Sequence, residues 1–321
     1  MAAASSLAYD DLVALLRGAA EETRLRILVL LGRMELTVSD LVSVLDQSQP
    51  RISRHLKILV DAQLVVRNQE GAWAWFRLAE DPFIRPLIDA IVGSVRADDT
   101  SIIADVQKLE ALRRSRDERA ADYFAANAER WNAIRSLHIR EMDVETAILE
   151  MGLASRPASI LDVGTGTGRM LQLFADHVER GVGIDRSADM LALARSTLGR
   201  DQHGHLQVRQ GDAYDIPLDD NFDLIVLHQV LHYLEDPQHA IDQAAGRLAG
   251  GGRLLIIDFA PHTLDFLRDQ HAHRRLGIGD DQMQRWLVQS GLSIIEKRRL
   301  QADAQTRDGL TVTLCLAGKN D

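Results

Sequence analysis

The chain has 321 residues and a single cysteine, Cys315. One thiol cannot close an intrachain disulfide, and it excludes any metal site built from several cysteines. That scarcity fits a reducing compartment, so a cytoplasmic location is expected. Aromatic residues make up only 5%, which leaves Leu, Ile, Val and Ala to build the core. Apolar runs such as 27–31 are far short of the ~20 residues that span a bilayer, so no membrane partner is expected. Residues 1–10 lack a basic region followed by an apolar stretch, and no secretory signal is read there. An excess of positive charge is also missing, since the formal net charge is −10. Taken whole, that weighs against a nucleic-acid binder. Screening beyond about 8–10 Å makes local patches more decisive than the total. Between 48 and 60 stand Arg51, Arg54 and Lys57 with no acid among them.

What is present divides by texture. The hydrophobic share is 46% and the charged share 26%, a globular composition for about two domains. Residues 9–80 show short amphipathic segments and then a strand-like pair. The stretch 94–151 contains neither Gly nor Pro and is rich in Ala, Leu, Arg and Glu, which predicts two or three helices. From Pro157 onward, short apolar runs bounded by glycines alternate with helical periodicity, the pattern of a parallel α/β sheet. The expected division is 1–97, a helical connector over 98–150, and 151–321.

In the first region 22–32 reads as a helix stopped by Gly32, and 38–45 as a second short helix. Ser48 suits the N-cap of a third, with Pro50 tolerated in its first turn. Ile52, Leu56, Leu59 and Val60 then fall at i, i+4, i+7 and i+8 and form one buried stripe. The opposite face carries Gln49, Arg51, Ser53, Arg54 and Lys57. Such a face can lie in a major groove, where Gln and Arg read base edges and Arg or Lys hold phosphates. A hairpin follows: 64–68 is strand-prone, Gln69-Glu70-Gly71 is turn-like and 73–78 returns. Arg67 and Arg77 near it suit a wing that touches phosphate or the minor groove. An ordinary three-helix module with solvated cations fits the same pattern.

The wording is more specific than the pattern. Thr23-Arg24-Leu25-Arg26-Ile27-Leu28, Ser48-Gln49-Pro50-Arg51-Ile52-Ser53-Arg54-His55-Leu56-Lys57 and Asp61-Ala62-Gln63-Leu64-Val65 resemble the ArsR/SmtB family of bacterial winged-helix regulators, over roughly residues 10–80. The resemblance implies a winged helix-turn-helix domain and a homodimer on a partly palindromic double-stranded DNA operator. It makes Gln49, Pro50, Arg51, Ser53, Arg54, Lys57, Arg67 and Arg77 the DNA-facing set, and 83–95 a dimerisation helix. Arsenic-sensing members carry a Cys-x-Cys pair before the recognition helix. Here that stretch reads Glu35-Leu36-Thr37-Val38-Ser39-Asp40-Leu41, and hydroxyls cannot replace thiolates for a soft metalloid. No metal site is expected; Asp40, Asp46 and His55 read as surface or core groups.

In the last region 159–163 is a short buried strand followed by Gly164-Thr165-Gly166-Thr167-Gly168 and a helix through Leu171 and Phe174. Glycines at this turn let a ligand approach the backbone closely. Alone, such a loop serves NAD or a nucleotide equally well. The spacing is not that of the dinucleotide fingerprint, however, and a P-loop lysine is absent. Asp162 stands two residues before the first glycine. Gly181-Val182-Gly183-Ile184-Asp185 is a second strand ending in an acid, about twenty residues past the loop, where a carboxylate accepts ribose hydroxyls. Gln210-Gly211-Asp212-Ala213 closes a third strand, 223–227 is the fourth, and 252–258 the fifth. Asp162 and Asp223 also read as strand caps, Asp223 especially. The ordered set resembles class I S-adenosylmethionine-dependent methyltransferases over about residues 120–321, of the ubiquinone/menaquinone-biosynthesis type. This implies a Rossmann-like, seven-stranded α/β domain binding S-adenosylmethionine or S-adenosylhomocysteine. Asp162, Gly164, Thr165, Gly166, Gly168, Asp185, Arg186, Met190, Asp212, Ala213 and His228 are then the cofactor-binding set. Within it Asp162 holds the ammonium end, Asp185 the ribose, and Asp212 with the Ala213 N–H the adenine.

Methyl transfer from a sulfonium needs alignment and exclusion of water, and for some acceptors a base. His228 and His232 are the expected catalytic pair, four apart and on one helix face, with Gln229 and Tyr233 beside them. His262, Asp265, His271 and His273 follow the fifth strand. The Asn/Asp-Pro-Pro-aromatic motif of DNA and protein amine methylation is absent. Cytosine C5 methylation needs a nucleophilic cysteine, and arsenite methylation needs several thiols. The acceptor expected is therefore a small molecule. Two readings stay open. One is a regulator whose second domain senses S-adenosylmethionine or S-adenosylhomocysteine and acts on the operator through 94–151. The other is an active small-molecule methyltransferase with an autoregulatory or merely dimerising winged helix.

Overall fold

The computed structural model describes residues 7–70, 73–127, 141–198, 204–301 and 309–319. It divides into two compact units on either side of the Asp117–Glu118 peptide.

The first unit begins with α1 (Tyr9–Ala19) and α2 (Glu22–Leu31). Then come β1 (Leu36–Thr37), α3 (Val38–Leu45) and α4 (Gln49–Asp61). The strands β2 (Val65–Glu70) and β3 (Trp73–Leu78) precede α5 (Arg85–Gly93) and the first part of α6 (Thr100–Asn127). Local chemistry sets the boundaries. The Glu21 carboxylate caps α2 by accepting from the Arg24 N–H at 3.0 Å. Thr37 and Asp40 form a reciprocal capping box on α3, at 3.0 and 3.3 Å, which satisfies two otherwise orphan donors. Ser48 occupies the cap position of α4, but its hydroxyl makes no capping bond; Pro50 in the first turn supplies the pre-set φ instead. Ile52, Leu56 and Leu59 of α4 are buried against Ile27, Leu28, Leu41 and Val44, while Val60 is half-buried at the edge of the stripe.

The small sheet runs β1-β3-β2. The β2–β3 hairpin pairs Gln69 with Ala74 and Glu70 with Trp73, so Gln69 and Glu70 lie in the strand rather than in the turn expected for them. Gly71 of that turn lies outside the described residues. The edge strand β1 is too short to be read from sequence. Leu109 of α6 is buried in this core, and Asp105 on the same helix accepts two 2.7 Å hydrogen bonds from the Arg26 guanidinium.

The second unit contains α7 (Glu141–Leu153), β4 (Ser159–Val163), α8 (Arg169–Phe174), β5 (Arg180–Asp185) and α9 (Ala188–Leu198). It continues with β6 (Leu206–Gln210), β7 (Phe222–His228), α10 (Pro237–Gly246) and β8 (Leu248–Phe259). It ends with α11 (Phe266–His271), α12 (Asp280–Gln289), β9 (Leu292–Leu300) and β10 (Val312–Lys319). Seven strands form one sheet in the order β6-β5-β4-β7-β8-β10-β9, with β10 antiparallel to both neighbours.

Alternation along the central strands builds two cores. Ile225 and Leu227 of β7 join Leu254 and Ile256 on one face, beneath α10 and α12. Leu224 and Val226 join Leu255 and Ile257 on the other, beneath α7 and α8. Both faces are thus covered, which is why these strands read as unbroken apolar runs. Asp223 is the strand cap expected of it: its carboxylate accepts from the Ala158 and Ser159 N–H groups and the Ser159 hydroxyl at 2.8–3.1 Å. The third strand stops at Gln210, before the expected Ala213, because Asp212 turns back to bridge Asp215. Strand order reverses between β4 and β7, so the crevice for a ligand lies at their carboxyl ends.

Candidate functional site

Three glycines of the loop after β4 take positive φ: Gly164 at 75°, Gly166 at 53° and Gly168 at 83°. The Gly164 and Thr165 N–H groups both donate to the Ile184 carbonyl at 2.9 Å, which folds the loop over the end of β5. A Cβ on Gly164 would come within 2.6 Å of Val230, so the loop and the segment after β7 meet with no room to spare. Asp185, at the end of β5, accepts from the Gly166 N–H at 2.8 Å and from the Ser187 N–H at 2.9 Å. Burial is the largest influence on this carboxyl and raises its pKa above the usual range, against those two bonds.

The structure brings the rest of the set to the same edge of the sheet. Asp162 is buried in β4, paired with Gly183 on one side and Val226 on the other. Met190 is buried in the first turn of α9, which Ser187 caps at 3.2 Å. Arg186 is exposed, and its Nε lies 3.5 Å from Asp212. One Asp212 oxygen is taken by the Tyr214 N–H at 3.0 Å, and Ala213 is buried beside it. His228 is the last residue of β7 and half-buried.

The expected shared helix face of His228 and His232 is corrected. His228 ends a strand, whereas His232 sits in a single 3-10 turn, Leu231–Tyr233, after Gln229 has taken φ 52°. The left-handed residue Gln229 separates the two histidines, so they do not share one helix. His232 is 1% exposed, and its Nδ1 lies 2.7 Å from Asp258 at the end region of β8. Sequence reasoning assigned Asp258 no role. The available signal was its place, since it closes a strand with an acid as Asp185 does. His273 and Phe259 pack on His232 with ring centroids at 4.3 and 5.0 Å. His271 stands apart from that stack, hydrogen-bonded to the Tyr123 hydroxyl at 2.8 Å.

In the first unit Gln49, Pro50, Arg51, Ser53, Arg54 and Lys57 are all exposed along α4, as is Arg67 on β2. Arg77 differs. Its side chain is 13% exposed and ion-paired with Glu80 at 3.0 Å, so it is committed to the fold as much as to any ligand. Asp40 belongs to the capping box, Asp46 pairs with Lys108, and His55 Nδ1 faces Glu21 at 3.4 Å.

Two family models match. Residues 21–66 fit that of a bacterial regulatory protein of the arsR family, and residues 161–256 that of a methyltransferase domain. The arsenic resistance transcriptional regulator ArsR1 of Pseudomonas putida is 36% identical over 95 residues, which cover 29% of this chain and 73% of that protein. The chain belongs to the arsR family of bacterial regulatory proteins. Behind its winged helix this arsR-family chain carries a methyltransferase domain. There it is 31% identical over 104 residues to the uncharacterized methyltransferase YcgJ of Bacillus subtilis, covering 32% of this chain and 41% of that one. A methyltransferase solved with the Haloferax volcanii Trm112 activator shares the fold, with a TM-score of 0.53 at 20% identity over 63% of this chain and 99% of the other. The chain spans about half the length of the first curated relatives it matches. Among the described residues no helix is long and apolar enough to cross a membrane.

Proposed function

We propose that this arsR-family chain is an operator-binding regulator whose second domain binds S-adenosylmethionine or S-adenosylhomocysteine. The observation that carries the reading is the Asp185 carboxylate at the end of β5, held by the Gly166 amide of a loop whose glycines all take positive φ. The residues fit the group. Glycine at 164 lets the loop pack directly on Val230, where a side chain would clash, and Asp185 offers acceptor capacity to a sugar diol. Asp162 would serve the ammonium end, the loop amides the amino-acid tail, and Asp212 with Ala213 the adenine. Arg186, Met190 and His228 would border them. The bound molecule supplies a methyl group already activated as a sulfonium, and the protein aligns and dehydrates the acceptor.

The first unit would act as a homodimer on double-stranded DNA, with α4 in the major groove and α5 in the dimer contact. Occupancy of the second domain regulates the operator only if the ligand binds the DNA-competent and DNA-incompetent states with different affinity. Calorimetry with S-adenosylhomocysteine tests the cofactor reading, and operator mobility shifts with and without it test the coupling. Absence of heat on titration would sink the first, and identical shifts would sink the second. A small-molecule methyltransferase activity is the second reading, favoured by the buried His232–Asp258 pair.

A further inference from the structure

Of the chain's 11 histidines, only His55 belongs to the first unit. It stands on α4 between the exposed Arg54 and the buried Leu56, and its own side chain is 12% exposed. Its Nδ1 comes to 3.4 Å from a Glu21 oxygen, an ion-pair distance at which no hydrogen bond has formed. That carboxylate is already the cap of α2, accepting from the Arg24 N–H at 3.0 Å. The ring therefore stands between the helix proposed for the major groove and the start of α2. The charged groups that act on it are Glu21 and Arg24 at the start of α2, and Arg51 and Arg54 on α4 itself. Arg24 is fixed there because its guanidinium donates to the Gly18 and Arg17 carbonyls at the end of α1. Burial is the largest influence on His55 and lowers its pKa; Glu21 opposes this, and the three arginines add to it. In the free chain the ring is thus neutral at neutral pH, and its pairing with Glu21 is unmade.

We propose that DNA binding by this unit takes up a proton, and that His55 receives it, closing an ion pair with Glu21 that braces α4 against α2. This rests on the DNA-facing reading of α4 above. Arg51 and Arg54 are exposed on the face offered to DNA. Phosphates drawn to such cations displace their diffuse counterions and bring fixed negative charge. The repulsion that these two arginines exert on a charged ring is then offset, while Glu21 keeps its attraction. His55 is adjacent to Arg54 and one turn from Arg51, and charge at such range is felt because screening needs about 8–10 Å to act. The imidazole gains one proton from solvent, so both ring nitrogens carry one and the Nδ1–H faces the carboxylate. The sign follows from linkage. A group whose pKa is higher in the complex than in the free chain makes affinity rise as pH falls between the two values. The rise is at most about tenfold per pH unit for each chain.

The test uses the full chain and a rhodamine-labelled double-stranded DNA of mixed sequence at low ionic strength, because phosphate contacts alone suffice for the effect. Anisotropy titrations from about pH 5 to 8 span the range in which histidine alone among unperturbed side chains changes charge. Native-chain affinity is expected to rise several-fold from the top of this range to the bottom, and His55→Gln to remove most of that rise. A merely structural role for the ring would weaken binding equally at every pH and leave the slope in place. His55→Leu, which keeps apolar bulk, repeats the comparison if glutamine unfolds the unit. Calorimetry in two buffers of different ionisation heat, at about pH 6.5, reads the proton on the native chain itself: the binding heat should change with the buffer. A native profile without slope, a slope that survives both substitutions, or heats that ignore the buffer overturns the proposal. Absence of DNA binding by the native chain at every pH would instead overturn the DNA-facing reading on which it rests.

Discussion

The Gly166 amide donates to the Asp185 carboxylate across 2.8 Å, so the loop after β4 and the end of β5 are one unit. Asp185 therefore braces the loop and, in the proposed function, would also face the ligand. A charge-assisted hydrogen bond contributes about 1.5–3 kcal/mol, so Asp185→Ala should cost at least ~10-fold in S-adenosylhomocysteine affinity. The pH dependence has a definite sign. Burial raises the folded pKa of this carboxyl. As pH falls through that raised value the group takes up a proton and loses acceptor strength, so affinity should decline above the usual carboxylate range. Its contribution to folded stability moves the other way, because the fold penalises the charged form and protonation relieves it. Calorimetry and thermal melting over the same pH series should show opposite trends. Parallel trends would count against Asp185 as the gripping group.

Gly183 sits beneath Thr165, and a Cβ there would fall 2.6 Å from the Thr165 hydroxyl and 2.8 Å from its Cβ. Overpacking of this kind costs about 1–3 kcal/mol. Gly183→Ala should lower the melting temperature and weaken cofactor binding together, because the displaced atoms belong to the glycine loop. Gly246→Ala provides the contrast. It ends α10 with open space around it, so alanine should raise stability by about 0.4–1 kcal/mol and leave binding unchanged. Equal effects of the two substitutions would contradict the packing argument.

The parts of the fold legible in the sequence are those where one local rule decides. The bounds 159–163 for β4 and 38–45 for α3 follow from an apolar run before glycines and from the Thr37–Asp40 cap. Asp185 was legible because it closes β5, whereas Asp162 lies within β4 and Asp212 lies past the end of β6. What sequence could not give is which way a chain turns once a strand ends. His228 and His232 share a helical spacing, but Gln229 adopts φ 52° and breaks it. Asp258 lies twenty-six residues from His232 and meets it only because β7 and β8 are neighbours in the sheet. Arg77 matches Arg67 in type and in its place on the hairpin, and only the fold brings Glu80 to hold it.

Cys315 lies in β10 with no exposed surface, and burial pushes its thiol up to about 11. The thiolate is the reactive form, so at neutral pH almost none is present and none is accessible. The folded chain should therefore resist a disulfide reagent such as Ellman's, and release one equivalent only after unfolding in guanidinium. Rapid labelling of the native chain would show that β10 opens, and would restore a thiol to the groups available for chemistry.

On the DNA-facing unit the contrast between Arg54 and Arg77 is the discriminating one. Arg54 is exposed on α4, whereas Arg77 is nearly enclosed and paired with Glu80. If Arg54 reads a base, Arg54→Ala should cost roughly 1–3 kcal/mol of specific operator affinity while leaving non-specific binding and the melting temperature nearly unchanged. A phosphate role would instead weaken all sequences alike and reduce the salt slope by about one. Arg77→Ala should act chiefly on stability, because it removes a largely enclosed ion pair with Glu80 at the base of the hairpin. Fluorescence anisotropy across a salt series, beside thermal melts, separates these outcomes. If Arg77→Ala altered the salt slope as strongly as Arg54→Ala and spared the melt, the wing would contact DNA through both strands of its hairpin, and the ion pair would have to open on binding.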